Sequence, residues 1–404
     1  MYIERFLEGE IRKYIDKKEI IAVVGPRQSG KTTLLRKIFE GLKNAVFLDF
    51  EDRETLELFN QDIKSFIELY VKNRDYIFID EFQYAKDGGR QLKYIYDSHK
   101  IKIIVSGSSV SGLSINSIKY LVGRIFVFPL YPISFEEFLN FKEHILYKNI
   151  YLKRNLSKPV IGKILPYFHE FCLYGGYPRV AITEDKKEKE TVLRNIYNTY
   201  FLKEVKEILN LPEDYKLSRL IHAFALQIGN IINYNELSGI TGFKYADLLK
   251  HINVLEKTFI CLISKPFYTN KRTELVKAPK IFFLDNGFRN IVIKNFQHIQ
   301  NRQDKGPLYE NFVASELAKS GFGVRYWRSK SKAEVDFVVE KNSKTIPIEI
   351  KAGLASPKLT KSFNSFIDRY KPKNSCMLSE ILWGEKNKTN FRPIFYAERS
   401  LRKL

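Results

Sequence analysis

The sequence predicts an α/β protein with a P-loop nucleotide-binding core, a helical region, a winged helix and a second α/β domain. Three observations carry this expectation. A complete G-x-x-x-x-G-K-[ST] stretch stands between an apolar β-branched run and a helical repeat near the amino terminus. A further apolar run ends in Asp80-Glu81. In the last quarter, two alternating strands carry Asp336, Glu349 and Lys351. The expected divisions are a P-loop core over residues 1–140, a helical lid over 141–200, a winged helix over 201–298 and the closing α/β domain over 299–404.

The P-loop comprises Gly25, Pro26, Arg27, Gln28, Ser29, Gly30, Lys31, Thr32 and Thr33. Residues 20–24 read as a buried strand, and residues 33–39 place apolar side chains at helical spacing. Gly25 and Gly30 let the backbone turn round phosphates and aim N–H groups at them, with the helix macrodipole adding to the attraction. Lys31 would reach the β- and γ-phosphates of ATP, and the Thr32 hydroxyl would ligate Mg²⁺.

Composition narrows the class. With 44% hydrophobic and 14% aromatic residues, the 404-residue chain is globular and long enough for several cores. The charged start MYIERFLEGEIRKYIDKK lacks a secretory segment, and no long uncharged apolar window follows, so a soluble cytoplasmic protein without a membrane partner is expected. Cys172, Cys261 and Cys376 suggest neither a disulfide framework nor zinc. The net charge is +21, of which +10 lies in residues 301–404, which suggests a polyanionic partner such as DNA. A lysine-rich surface unrelated to binding is the alternative.

Taken in order, residues 45–50 form the next expected strand, and residues 76–81 (YIFIDE) read as Walker B. Asp80 would hold Mg²⁺ through water, and Glu81 would orient the attacking water. The strand over 101–105 ends in Ser106-Gly107-Ser108-Ser109, where Ser106 could occupy the sensor position of AAA+ ATPases or simply open a turn. Arg124 is a candidate arginine finger acting in trans, which would imply a homo-oligomer, or a surface arginine. Ser134 and Glu137 form a capping box for the helix FEEFLNF. Residues 140–200 read as mostly helical, with Arg179 in YGGYPR a candidate nucleotide sensor and the mixed run EDKKEKE over 184–190 a solvated turn or helix face.

Helical patterns over 217–229, 235–240 and 245–257, followed by strands over 259–264 and 280–284, describe a winged helix. Its recognition helix would span residues 244–255 and expose Lys244, Lys250 and His251, with Asn270, Lys271 and Arg272 forming a basic wing. The same module can equally dock protein. Beyond it, residues 307–319 form an amphipathic helix, followed by a strand over 324–327. Residues 333–339 and 345–351 pair as a hairpin about an Asn342-Ser343 turn. Side chains alternate along a strand, so Glu349 and Lys351 share a face that Asp336 can join. Two carboxylates for Mg²⁺ or Mn²⁺ and a lysine suit phosphodiester hydrolysis, with Glu310 a further ligand, although an alternating surface hairpin has the same pattern. Arg328 and Lys330 are further candidate DNA contacts.

The chain resembles a widespread prokaryotic family of AAA ATPases whose carboxyl-terminal region is a domain of unknown function. The resemblance rests on GPRQSGKTTL, FIDEFQ, SGSS, LVGR, LYPISFEEFL, YGGYPR, KIFFLDNGF, YENFVASEL, YWRSKSKAEVDFVV and PIEIK, in order along nearly the whole chain. It implies an additional-strand P-loop AAA+ core, a winged helix and a terminal fold like that of restriction endonucleases with a PD-(D/E)xK site. Asp336, Glu349 and Lys351 would then occupy the metal and lysine positions, and Glu310 the helix position. Glu334-Val335 precedes Asp336 where such nucleases commonly carry a proline. The implied function is an Mg²⁺-dependent ATPase that binds duplex or branched DNA and cleaves it, or a nucleotide-dependent switch that binds DNA or protein without cutting.

Overall fold

In the computed structural model, residues 1–404 are described except 109–118, 153–154, 200–204, 206–214, 271, 273, 275–276 and 403–404. Four parts were expected; the chain divides into two compact units, Met1–Ile133 with Lys257–Phe259, and Ser134–Glu256 with Ile260–Leu404. Among the described residues, no helix is long and apolar enough to cross a membrane.

The first unit is built on five strands, β1 (Ile20–Val24), β2 (Ala45–Asp49), β3 (Tyr76–Asp80), β4 (Lys102–Gly107) and β5 (Ile125–Pro129). They are all parallel and lie in the order β2-β3-β4-β1-β5. β4 therefore separates the P-loop strand from the Walker B strand, as an additional-strand core requires. Every residue of β1 and β4 is buried, which explains their uninterrupted apolar runs. The helix Lys31–Phe39 lays Leu34, Leu35 and Ile38 on Ile21, Val23, Phe78 and Ile104. Lys102 is one polar exception within β4. Its ammonium turns to the end of the strand and donates to the carbonyls of Tyr14, Lys17 and Glu19 at 2.8, 2.7 and 2.5 Å, fastening the amino-terminal turn.

The second unit opens with the helix Phe135–Lys142, whose N-cap Ser134 and Glu137 form the expected reciprocal box. Phe135, Phe168, Phe171, Phe312 and Phe395 make an aromatic core round it. The helices Tyr215–Leu226, Tyr234–Thr241 and Tyr245–Lys257 precede the antiparallel pair β6 (Cys261–Pro266) and β7 (Lys280–Phe283). Ile231, between the first two helices, adds a bridge to Lys280. The remaining strands are β8 (Arg325–Arg328), β9 (Glu334–Lys341), β10 (Lys344–Ile350), β11 (Ser375–Ser379), β12 (Gly384–Lys386) and β13 (Thr389–Pro393). They join β6 and β7 in one eight-stranded sheet ordered β12-β13-β11-β10-β9-β8-β6-β7. The sheet runs across the boundary expected at residue 298, because Lys265 and Pro266 pair in parallel with Arg325 and Tyr326.

Two quoted motifs pack against each other here. Asp285 caps the helix Asn286–Val292 by accepting from Phe288 N–H at 2.8 Å, and also accepts from Gly176 N–H at 2.6 Å. A Cβ on Gly175, whose φ is +75°, would fall 2.1 Å from that carboxylate, and one on Gly287 would fall 2.0 Å from the Tyr174 carbonyl oxygen. The glycines of YGGYPR thus serve a close approach of backbone to carboxylate. The charge run over 184–190 forms the start of the helix Lys186–Ile196 with Asp185 as cap, but Lys189 is buried. It reaches the Val180 carbonyl at 2.9 Å and Glu170 at 3.1 Å.

Candidate functional site

In the first unit, the nucleotide site forms at the carboxyl ends of β1, β3 and β4. Gly25 follows β1, and a Cβ there would fall 2.1 Å from the Leu130 carbonyl oxygen, so no other residue lets the segment after β5 close over the loop. Gln28 and Gly30 take left-handed backbone at φ 62° and 94°. This turns the chain tightly before the helix Lys31–Phe39, whose N-terminus carries no side-chain cap. The Lys31 ammonium is buried and donates to the carbonyls of Gly25 and Pro26 at 3.0 and 3.1 Å. Ser29 Oγ is buried with no hydrogen-bond partner among the described residues, a polar atom that a phosphate oxygen would satisfy. Thr32 is half-buried, Thr33 is exposed, and Arg27 reaches the Tyr84 hydroxyl at 3.4 Å.

Asp80, only 2% exposed, ends β3. The neighbouring β4 brings Ser106 onto it: the Ser106 hydroxyl donates to the Asp80 carboxylate and accepts from Glu81 N–H, the latter at 3.2 Å. Glu81 sits at φ 52°, a conformation costly for a non-glycine residue and held here by its neighbours. The Gln83 amide donates to the Glu81 carboxylate and accepts from Ser108 N–H at 3.3 Å. Gln83 was not singled out from the sequence, although it closes the FIDEFQ motif. Ser109 lies outside the described residues.

Arg124 is placed elsewhere in the first unit. Arg124 precedes β5 at the amino ends of the strands, where its carbonyl accepts from Ile20 N–H, while the P-loop lies at the carboxyl ends. Its guanidinium pairs with Asp97 at 3.0 Å, so the fold does not bring it to the phosphate loop of its own chain. Arg179, in the second unit, stands on the short helix Pro178–Ile182, 3.5 Å from Glu188.

The second unit gathers the other expected residues. Asp336 on β9 and Glu349 on β10 are buried, Glu310 projects from the helix Lys305–Lys319, and Lys351 follows β10. Asp336 Oδ2 accepts from Ile350 N–H at 2.7 Å. Glu349 is held by the Thr360 hydroxyl at 2.8 Å and by the Lys351 ammonium at 3.2 Å. Burial, then the charge of Asp336, pushes Glu310 up to about 8. Burial also raises Asp336 and Glu349, with Lys351 opposing it in both. Burial pulls Lys351 down, but Asp336 and Glu349 outweigh it and the lysine is raised. Lys280 on β7 pairs with Glu334 at the edge of the same field. A Cβ on Gly229 would come 3.0 Å from Glu310 Oε2, so a glycine leaves room for that carboxylate.

Among the described residues, no group of three or more His, Cys, Asp or Glu side chains is gathered to hold a metal ion. The charge of Asp336 raises both Glu310 and Glu349, yet the three do not form a shell, since Asp336 Oδ2 is turned to the backbone and Glu349 to Thr360 and Lys351.

The expected DNA contacts are mixed. Lys244 and Lys250 are exposed, but His251 is buried, its ring 4.1 Å from that of Phe243 and its Nδ1 2.5 Å from the Asp247 carbonyl oxygen. Helical periodicity explains the difference: Leu248, His251, Ile252 and Leu255 share the inward face. Arg272 is exposed, Lys330 is exposed, and Arg328 lies 3.6 Å from Glu334. Lys271 lies outside the described residues.

Comparison with known proteins agrees with this geometry in the first unit. Residues 17–139 match the family described as an AAA domain. This segment is an AAA-family ATPase domain. Downstream of it, residues 165–298 and 305–387 match two families, each described as a domain of unknown function. An uncharacterized protein of Haemophilus influenzae is 26% identical over 364 residues, covering 86% of both chains. An uncharacterized protein of Methanocaldococcus jannaschii is 26% identical over 412 residues, covering 94% of this chain and 85% of its own. Among solved structures, the Walker-type ATPase of Pyrococcus abyssi aligns at 16% identity and TM-score 0.47, over 72% of this chain and 96% of its own. The ORC2 protein of Aeropyrum pernix, in its ADP form, aligns at 13% identity and TM-score 0.36, over 74% and 95%.

Proposed function

We propose that this protein is an Mg²⁺-dependent ATPase that acts on DNA, its nucleotide state setting how the second unit engages the polymer. The observation that supports the ATPase part is the single contact set Asp80–Ser106–Glu81 beside the phosphate loop. Thr32 and Asp80 would hold Mg²⁺, which neutralises phosphate charge, while Lys31 exchanges its carbonyl partners for phosphate oxygens. Glu81, fixed by Gln83 and by its own N–H on Ser106, orients the water. The DNA part rests on charge and topology. Three helices, an antiparallel pair and the Ile231 bridge are the parts of a winged helix, and Lys244, Lys250 and Arg272 stand exposed on it. With +10 in residues 301–404, duplex or branched DNA should bind in a strongly salt-dependent manner. Affinity is expected to fall by about tenfold or more between 50 and 200 mM salt, read by fluorescence anisotropy. A flat profile would remove DNA from the reading and leave a nucleotide switch that docks protein.

The carboxylate cluster favours a second reading, phosphodiester cleavage. Burying three acids round one lysine does little for stability and raises Glu310 to about 8, a cost typical of functional sites. Asp336 and Glu349 would hold Mg²⁺ or Mn²⁺ jointly with the phosphate, and Lys351 would orient water. The wild-type chain is then expected to nick DNA with Mn²⁺, whereas Asp336→Ala should bind DNA but leave it intact. Identical behaviour of both across DNA forms and nucleotide states would make the cluster a holding site only.

A further inference from the structure

We infer that Arg5 is a positioning residue for the phosphate loop, an inference that rests on the ATPase reading above. Arg5 precedes the helix Phe6–Arg12 and is only 8% exposed, unusual for an arginine without a structural task. Its guanidinium donates to the Ser29 carbonyl at 2.9 Å and to the Tyr131 carbonyl at 2.6 Å. The first acceptor lies inside the P-loop, the second in the segment that follows β5.

Peptide geometry gives this contact its consequence. The unit joining Ser29 to Gly30 is planar and trans, so its C=O and N–H point in opposite directions. Holding the Ser29 carbonyl on Arg5 therefore aims the Gly30 N–H the other way. Three other loop carbonyls are also occupied: those of Gly25 and Pro26 by Lys31, and that of Gly30 by Leu34 N–H at 2.9 Å. When Lys31 leaves for the phosphates, Arg5 remains as a fixed anchor of the loop's outer side. Its second bond ties that anchor to the strand flank whose Leu130 N–H donates to Val24 oxygen at 2.7 Å. The guanidinium has the planar fork to serve both carbonyls at once, which a lysine ammonium on a single flexible stem does not reproduce.

The test compares full-length wild type with Arg5→Ala, Arg5→Lys and Arg12→Ala. Arg12 lies on the neighbouring helix and pairs only at the surface with Glu8 among its described contacts, so its variant controls for loss of positive charge. Equilibrium binding of a fluescent-labelled ATP analogue with Mg²⁺, steady-state hydrolysis and thermal unfolding are read for each. Arg5→Ala is expected to weaken nucleotide binding and raise KM by about tenfold or more, the scale of a misplaced binding group. Arg5→Lys should fall between, Arg12→Ala should match wild type, and millimolar guanidinium should restore part of the loss in Arg5→Ala. If Arg5→Ala does not fold, Arg5→Lys decides by the same readouts. Wild-type KM and binding in a folded Arg5 variant would overturn the inference while leaving the ATPase reading standing. A loss that follows melting alone and is not restored by guanidinium would also overturn it, in favour of a plain folding role. A wild-type chain that neither binds nor hydrolyses ATP would remove both.

Discussion

Glu81→Gln is expected to bind Mg²⁺·ATP about as well as wild type yet hydrolyse it roughly a hundredfold or more slowly, the usual cost of removing one group that acts on the transition state. The side chain keeps its size and its contact with Gln83, so the bound state changes little, while the amide no longer accepts a proton from water. Lys31→Ala should behave differently. It removes a buried cation that, in the free protein, already holds the Gly25 and Pro26 carbonyls. Nucleotide binding itself should therefore fail. Ser106→Ala separates these two roles: it breaks the bridge between Asp80 and Glu81 N–H, and should lower kcat more than it raises KM. Steady-state phosphate release and equilibrium nucleotide binding check all three. Equal turnover in Glu81→Gln and wild type would end the assignment of Glu81.

How far the molecule was legible from its sequence depended on the range of the interaction. The P-loop was legible because strand, glycine turn and helix are consecutive, and each residue type answers a local demand. The hairpin of β9 and β10 was equally local. Asn342 and Ser343 both take positive φ, and the pairing of Lys341 with Lys344 follows from that turn. Contacts distant in sequence were harder to read. Nothing local signals that Lys265 will pair with Arg325 and draw the β6–β7 ribbon into the carboxyl-terminal sheet. Nothing local in the sequence signals that Arg5 and Lys102 bury their cations on backbone carbonyls. His251 read as a base-facing side chain, but the helix face shared with Leu248 and Leu255 turns it inward. In the carboxylate cluster, strand parity brought Asp336, Glu349 and Lys351 together, but it could not show that Ile350 N–H and the Thr360 hydroxyl also bond to the two carboxylates.

Asp304→Asn should destabilise the second unit by about 3–5 kcal/mol near neutral pH, since removing one partner of a buried ion network leaves the others uncompensated. Asp304 sits between two guanidiniums: Arg302 donates to it at 2.8 Å through both Nε and NH2, and Arg289 donates through NH1. Arg289 is 2% exposed and Arg302 is 5% exposed, so neither charge can turn to water. The rest of the network has little slack. Asn290 Oδ1 already accepts from both arginines, while its amide serves the carbonyls of Cys172 and Leu173. Burial alone would raise the Asp304 carboxyl, but the two arginines outweigh it and hold it at about 2. Because that value is depressed below 3.8, the unfolded chain binds the proton more readily than the folded one. The contribution is therefore complete above about pH 4 and is lost as pH falls toward about 2, amounting to roughly 2 kcal/mol over that window. Urea unfolding of wild type and Asp304→Asn should give curves that differ widely near pH 7 and draw together by roughly 2 kcal/mol as pH falls to about 2, where the folded wild-type carboxyl is half-protonated. A difference unchanged between those two conditions would show that the carboxylate charge does not hold the arginines, and that Asp304 acts through shape alone.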